Sequence, residues 1–223
     1  MSLVSWDVTL PRRGAAAPGR AKPRAILTIQ TDEGDEERTL PLAVGKALLA
    51  KQDDPSFDPA SCAELLHAVR QIQLNRAHER VVGLVDKRDY AREELCKKLL
   101  LDGYSHSVID EVLTRACDAG LVDDMRYARV YIRSKLAQGW GSARIVRELS
   151  IRGISADDVE GWPEDFLDGQ TEFDRALEVA RTKRATGKDP VAKIARFLCG
   201  RGFSQSVAFS AAKQVIEERM EED

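Results

Sequence analysis

LCKKLLLDGYS at Leu95–Ser105, IVRELSIRGIS at Ile145–Ser155 and IARFLCGRGFS at Ile194–Ser204 repeat one pattern. An apolar residue is followed by Leu four positions on, Gly four after that, then an apolar residue and Ser. Gly103, Gly153 and Gly202 are 50 and 49 residues apart, a period typical of stacked repeats. The spacing has a physical reading. If each Gly takes the left-handed position just past a helix, the residue four back and the residue after it must touch. Those pairs are Leu99/Tyr104, Leu149/Ile154 and Leu198/Phe203, all apolar. Ser105, Ser155 and Ser204 then stand where a following helix needs an N-cap.

A first helix precedes each of these, around Asn75–Lys87, Met125–Gln138 and Glu172–Thr186, with Ala77, Ala128 and Ala176 at matching points for close helix approach. Tyr127, Ala128, Tyr131, Ile132 and Leu136 fall on one helical face. Trp162-Pro163 interrupts the second unit, so its third helix should be short or kinked. The expected fold is mainly α: three tandem three-helix repeats in an elongated array, behind a small N-terminal β-hairpin.

Ser61 with Glu64 three residues on is a capping box that opens a lead-in helix through Leu65, Leu66 and Val69. Ile26–Gln30 and Thr39–Val44, flanking the acidic turn Asp32–Glu37, predict the hairpin. Pro41 must then lie on its edge, and such a ribbon must pack on the helices to be stable. The Pro-, Gly- and Ala-rich stretch 1–23 reads as a flexible tail. The domain expectation is tail 1–23, hairpin and linker 24–59, first repeat with its lead-in helix 60–122, second repeat 123–169, and third repeat with an acidic end 170–223.

The 223 residues hold 34 Lys and Arg against 37 Asp and Glu, a net charge of −3 that marks no overall polyanion binder. Cys62, Cys96, Cys117 and Cys199 form no C-x-x-C pair, and Cys96 and Cys199 lie in apolar helical patterns, which predicts reduced core residues. With His67, His78 and His106 they make no ligand spacing, so no metal and no cofactor is expected. Arg12 and Arg13 lead into no apolar run and no segment approaches a ~18-residue apolar span, so the expected compartment is the cytoplasm.

Charge distinguishes the repeats. The middle helix carries Arg144, Arg147 and Arg152 in the second repeat and Lys193, Arg196 and Arg201 at the same positions in the third, against Glu94, Lys97 and Asp102 in the first. Arg126, Arg129 and Arg133 add a basic stripe to the second repeat, and Arg175, Arg181, Lys183, Arg184 and Lys188 make the third equally positive. These nine middle-helix and stripe cations form the candidate partner-binding face, suited to a polyanion or an acidic groove. Trp140, between Gly139 and Gly141, reads either as a partner anchor or as a lid folded on the core. There is no G-x-S-x-G, P-loop or dinucleotide turn, and Asp123/Asp124 and Asp157/Asp158 stand where helices begin, as capping requires. No catalytic residue is expected.

The run Asp124–Ile154, DMRYARVYIRSKLAQGWGSARIVRELSIRGI, resembles the bacterial RecX regulatory family. The resemblance rests on Asp124 with Tyr127-Ala128, Gly139 and Gly141, Arg144-Ile145, Glu148-Leu149 and Gly153-Ile154. It extends to Glu94-Leu95, Gly103 and Gly120-Leu121-Val122-Asp123-Asp124, and covers about residues 60 to 217. It implies three-helix repeats that bind the RecA recombinase, lie in the groove of the RecA–DNA filament and restrain strand exchange, ATP hydrolysis and coprotease function. It brings no catalytic residues. The expected protein is a monomer whose partner is RecA and its filament, with at most weak DNA contact and none with membrane.

The alternative is a direct DNA-binding protein of helix-turn-helix shape acting without RecA. Against it, the segments after Ser105, Ser155 and Ser204 are not Arg-rich, and Asp110, Glu111, Asp157, Asp158 and Glu160 would repel phosphate.

Overall fold

The computed structural model describes residues 3–11, 22–167, 169–185 and 187–222. The chain divides into two compact units, 1–123 and 124–223. Among the described residues it is mostly helical, with nine helices and one three-stranded antiparallel sheet.

The first unit opens with β1 (Leu3–Thr9), β2 (Arg24–Thr31) and β3 (Gly34–Pro41), β2 in the centre. Alternation along β2 turns Ala25, Leu27 and Ile29 inward, as a one-sided sheet requires. The expected hairpin is therefore present with a third strand added. Leu3–Thr9, read as part of a flexible tail, instead pairs with β2 from Thr9↔Ile26 to Leu3↔Thr31, with one irregularity between Leu3 and Ser5. Its short run LVSWDVT supplies alternate apolar residues, but its partner lies across the intervening chain, which local patterning does not reveal. At the other end of the expected tail the Lys22 amide donates to the Leu101 carbonyl at 3.1 Å and its ammonium pairs with Asp102; positions 1–2 and 12–21 lie outside the described residues.

The second hairpin strand also shifts. Thr39–Val44 is not one strand: β3 ends at Pro41, paired with Arg24 on the sheet edge, and α1 (Leu42–Gln52) begins at once. Proline can end an edge strand and precede a helix because neither place uses its missing N–H. α1 lies on the sheet so closely that a Cβ on Gly45 would stand 2.2 Å from that of Ala25. Ser61 accepts from the Glu64 amide and Glu64 from the Ala60 amide, which opens α2 (Cys62–Val85). The lead-in helix and the first repeat helix are thus one rod of 24 residues, because no Gly or Pro interrupts Cys62–Val82. α3 (Arg92–Asp102) and α4 (His106–Asp118) complete a core around Leu65, Val81, Leu95, Leu99, Ile109 and Leu113.

The second unit runs through α5 (Asp124–Ala137), α6 (Ser142–Ser150), α7 (Glu172–Thr182), α8 (Pro190–Arg201) and α9 (Gln205–Glu222). Between α6 and α7 the third helix of the second repeat shrinks to two 3-10 turns, Ala156–Asp158 and Glu164–Phe166. Trp162-Pro163 between them leaves no amide to continue a helix. Ala176, Ala180, Ala195, Ala208, Ala211 and Ala212 are all fully buried, so α7, α8 and α9 pack through small side chains.

The glycine stops take the form their spacing predicts. Gly103, Gly153 and Gly202 have φ of 100°, 75° and 97°. The amides of Tyr104, Ile154 and Phe203 donate to the carbonyls of Leu99, Leu149 and Leu198 at 3.1, 3.1 and 3.2 Å, the six-to-one bond of the Schellman motif. The serines are less uniform: Ser204 accepts from the Val207 amide, whereas Ser105 and Ser155 make no side-chain cap. Cys96 is half-buried, but Cys199 is exposed rather than in the core, since α8 turns that position away from Ile194 and Leu198.

Leu149 is fully buried and Ile151 is 56% exposed two residues later. Leu149→Ala should lower unfolding stability by about 2–5 kcal/mol, and Ile151→Ala should change it by less than about 0.5 kcal/mol, as read by urea denaturation.

Candidate functional site

In the second unit, α5 ends at the corner Gly139-Trp140-Gly141 and α6 starts immediately after it. A helix end leaves carbonyls and a helix start leaves amides without intrahelical partners. One turn of α7 supplies both. The Glu172 carboxylate accepts from the Ser142 amide at 2.8 Å and from its hydroxyl at 3.0 Å. Arg175, one turn on, donates to the Trp140 carbonyl at 2.8 Å and the Leu136 carbonyl at 3.4 Å, and pairs with Glu172 at 3.3 Å. Arg175 is only 6% exposed, and burial holds its pKa below the ordinary arginine value. It was expected on the basic surface and lies instead inside the unit, because the open carbonyls of the corner need a donor fork.

The same corner meets the end of α8. The Gly141 amide donates to the Arg201 carbonyl at 2.9 Å. A Cβ on Gly141 would come within 2.5 Å of the Gly202 carbonyl, and one on Gly202 within 2.3 Å of the Arg144 Cβ. Arg144 donates to the Gly200 carbonyl at 3.1 Å, and Arg201 donates to that of Gln138. Each arginine thus caps the helix end of the other repeat. Trp140 is half-buried with the Arg144 guanidinium 3.7 Å and the Lys135 ammonium 4.8 Å from its ring centre.

The nine candidate cations therefore divide. Arg144, Arg152 and Arg201 are half-buried and engaged. Arg152 bonds the Glu148 carboxylate at 2.9 Å and the Tyr127 hydroxyl at 3.1 Å, and lies 4.9 Å from the Tyr131 ring centre. Burial opposes its charge, but Glu148 and the two tyrosines outweigh it and raise its pKa. Arg201 lies 4.9 Å from the centre of the Phe197 ring. The uniform basic face expected from spacing fails at these three positions, since spacing places a side chain on a helix but does not say what packs above it.

The other six are exposed: Arg126, Arg129 and Arg133 on α5, Arg147 on α6, Lys193 and Arg196 on α8. Arg129 pairs with the exposed Glu160 at 2.7 Å, and Arg133 lies 5.5 Å from the Phe166 ring centre. Arg196 turns its Nε back to the Ala192 carbonyl at 3.2 Å. Val130 on α5, Val146 on α6 and Ile151 just past the end of α6 are exposed, at 57%, 39% and 56%. Beyond the named cations, Arg181 is tied to Glu218 by two bonds, at 3.1 and 2.8 Å. Glu172 was missed from sequence. Its only signal was its place one turn before Arg175. Among the described residues no group of three or more His, Cys, Asp or Glu is placed to hold a metal ion, and no helix is long and apolar enough to cross a membrane.

Sheet, glycine-stopped helices and repeat-equivalent cations define a class first: a mainly helical protein built from three-helix units behind a small sheet. Residues 123–161 match the family model described as "RecX, second three-helix domain". The chain is 36% identical over 127 residues to the regulatory protein RecX of Chromohalobacter salexigens, covering 55% of this chain and 81% of that protein. It is 34% identical over 131 residues to that of Vibrio vulnificus, covering 55% and 82%. A crystal structure of regulatory protein RecX superposes with TM-score 0.53 at 18% identity, over 93% of this chain and 97% of that one. The RecX crystal structure from Lactobacillus salivarius gives 0.50 at 21% identity, over 64% and 96%. The chain belongs to the RecX family, whose members carry the name of regulatory proteins.

The corner generates stability predictions at three positions. Arg175→Met leaves two carbonyls without their donor and should cost about 2–4 kcal/mol, with Arg175→Lys recovering only part because a single ammonium cannot span both carbonyls. Gly141→Ala should cost about 1–3 kcal/mol by overpacking. Gly200→Ala, where nothing stands within 4 Å of an added Cβ, should stabilise α8 by up to about 1 kcal/mol. Thermal unfolding of the four variants reads all of this.

Proposed function

We propose that this protein is a non-enzymatic regulator that binds the RecA recombinase and its DNA filament, and restrains recombination, ATP hydrolysis and coprotease activity. Contact runs through exposed cations of the second unit. Membership of the RecX family supports the regulatory role. The observation that carries the site is the fate of repeat-equivalent positions. Arg147 and Arg196 stand 49 residues apart at the same place on α6 and α8, and both are exposed. Their neighbours Arg144 and Arg201 cap helix ends. The matching residue of the first repeat, Lys97, is paired with Glu93 at 3.3 Å. Arg126 and Lys193 extend the exposed positive charge.

Cations at the edge of an interface act mainly on encounter rate and partner choice, and two equivalent sites on one chain gain from avidity when the partner is itself a repeating polymer. A filament of identical protomers is such a partner. The apolar residues among the cations, Val146 on α6 and Ile151 just after it, supply area that salt does not screen.

The test is RecA ATP hydrolysis on single-stranded DNA, titrated with the wild-type chain and with Arg147→Glu/Arg196→Glu. The wild type should slow hydrolysis, and the double variant should need about tenfold more protein for the same effect, with its melting temperature unchanged. An unchanged titration removes these residues from the interface. Tight binding to single-stranded or duplex DNA without any effect on RecA hydrolysis would replace this reading with a direct DNA binder.

A further inference from the structure

In the first unit, α1 begins at the wall of a groove of about 770 Å³. Leu42, Lys46 and Ala50, spaced by four, present one face of α1 to it, and Arg76 and Arg80 of α2 line the side opposite. Volumes of about 300–1,000 Å³ are those of small-molecule sites.

The start of α1, like that of α4, has no side-chain cap. Its N-cap is Pro41, no side chain bonds its first-turn amides, and no acidic residue lies in that turn. By contrast Ser61, Thr171 and Asp189 cap α2, α7 and α8. Uncapped amides and the helix dipole favour an anion there.

Tyr104 adds a neutral donor to the same groove. It is 5% exposed and lines the groove, and its hydroxyl has no hydrogen-bond partner among the described residues. Most of the side chain is buried, and the unpaired hydroxyl at its tip is within reach of solvent and of a ligand. Burial, helped by Asp102 and opposed by Arg76 and Arg80, pushes its pKa up to about 12. At neutral pH the hydroxyl therefore keeps its proton and can donate.

The local charge agrees. Lys22 and Arg80 share Asp102 at 2.5 and 2.9 Å, and Arg76 pairs with Glu79 at 2.7 Å. Lys46 is exposed and has no ion pair among the described residues. The groove thus holds four cations against two carboxylates, beside the apolar surface of Leu42, Ala47 and Ala50.

We propose that this groove binds a small phosphorylated molecule of nucleotide size. Its phosphate is held by the first-turn amides of α1, Lys46 and the Tyr104 hydroxyl, and its ring lies along Leu42, Ala47 and Ala50. Three kinds of donor suit the three free oxygens of a terminal phosphate better than the two of a carboxylate. A nucleic-acid strand fits less well: past Ala50 the surface continues between Asp54 and Glu79 with Lys51 and Arg76 beside them, so the excess of positive charge ends with the groove. The site lies outside the second unit and does not depend on how the chain engages RecA.

Calorimetric titration of the full chain with AMP, adenosine and inorganic phosphate tests it, alongside Lys46→Ala and Tyr104→Phe. Tyr104→Phe keeps the ring contact with Leu99 and should leave the melting temperature unchanged. AMP should bind, adenosine about tenfold more weakly or less, and each variant should weaken AMP by about fivefold. Inorganic phosphate should compete with AMP. Absence of AMP binding, or binding equal in the wild type and both variants, overturns the site. So does an oligothymidylate that binds more tightly than AMP and is lost in the same variants, since the groove would then serve a strand.

Discussion

Every repeat of this chain depends on ending a helix at a defined residue without leaving its last carbonyls bare. Glycine in the left-handed conformation makes the stop, and the Leu-to-apolar contact across it fixes the direction of the exit. That local motif satisfies only part of the helix end. The remaining carbonyls need donors, and here arginines supply them: Arg24 at Gly103, Arg175 at Leu136 and Trp140, Arg201 at Gln138, Arg144 at Gly200, Arg219 at Arg181 and Lys183. A guanidinium suits this work because its planar fork can reach two acceptors and its charge favours the negative end of a helix.

This constraint decides which positive charges remain for a partner. In the second unit the corner Gly139–Gly141 and the end of α8 approach as closely as two glycines allow, and the side chains nearest that contact, Arg144 and Arg201, are drawn into it. Arg152 is held by Glu148, Tyr127 and Tyr131 at the end of α6. At the equivalent end of α3 the sign is reversed: Asp102 is held by Arg80 and Lys22. Both arrangements anchor the last turn before the glycine, so a change of charge between repeats need not signal a change of partner. Arg147 and Arg196, one turn nearer the start of the same helices, escape this use and point outward.

The glycine stops and the small residues Ala77, Ala128 and Ala176 were legible in the sequence because their rules are local. Gly103 and Tyr104 are adjacent, and helical spacing alone puts each alanine on a buried face. β1 was not legible, since its partner β2 lies beyond residues 12–21 and a seven-residue strand carries little pattern of its own. The start of α1 was hidden by β-prone Thr39 and Leu40 just before it. The division of the arginines was hidden for a different reason. Arg144, Arg147 and Arg152 share a helix face by spacing; the approach of α8, from about 50 residues away, takes up Arg144, and Glu148 with the tyrosines of α5 takes up Arg152. The open choice for Trp140 is resolved in the same way: flanked by Lys135 and Arg144, it is a half-buried part of the corner.

The central claim is that these cations form two populations, one spent on helix ends and one facing a partner. Arginine-selective labelling with phenylglyoxal, read residue by residue by mass spectrometry, tests it in the intact chain. Arg147 and Arg196 should react rapidly in the free protein and become protected when RecA filaments on single-stranded DNA are added. Arg144, Arg175 and Arg201 should react slowly in both states. Rapid labelling of Arg175 and Arg144 in the free chain, or protection by filaments that spares Arg147 and Arg196, would contradict the account.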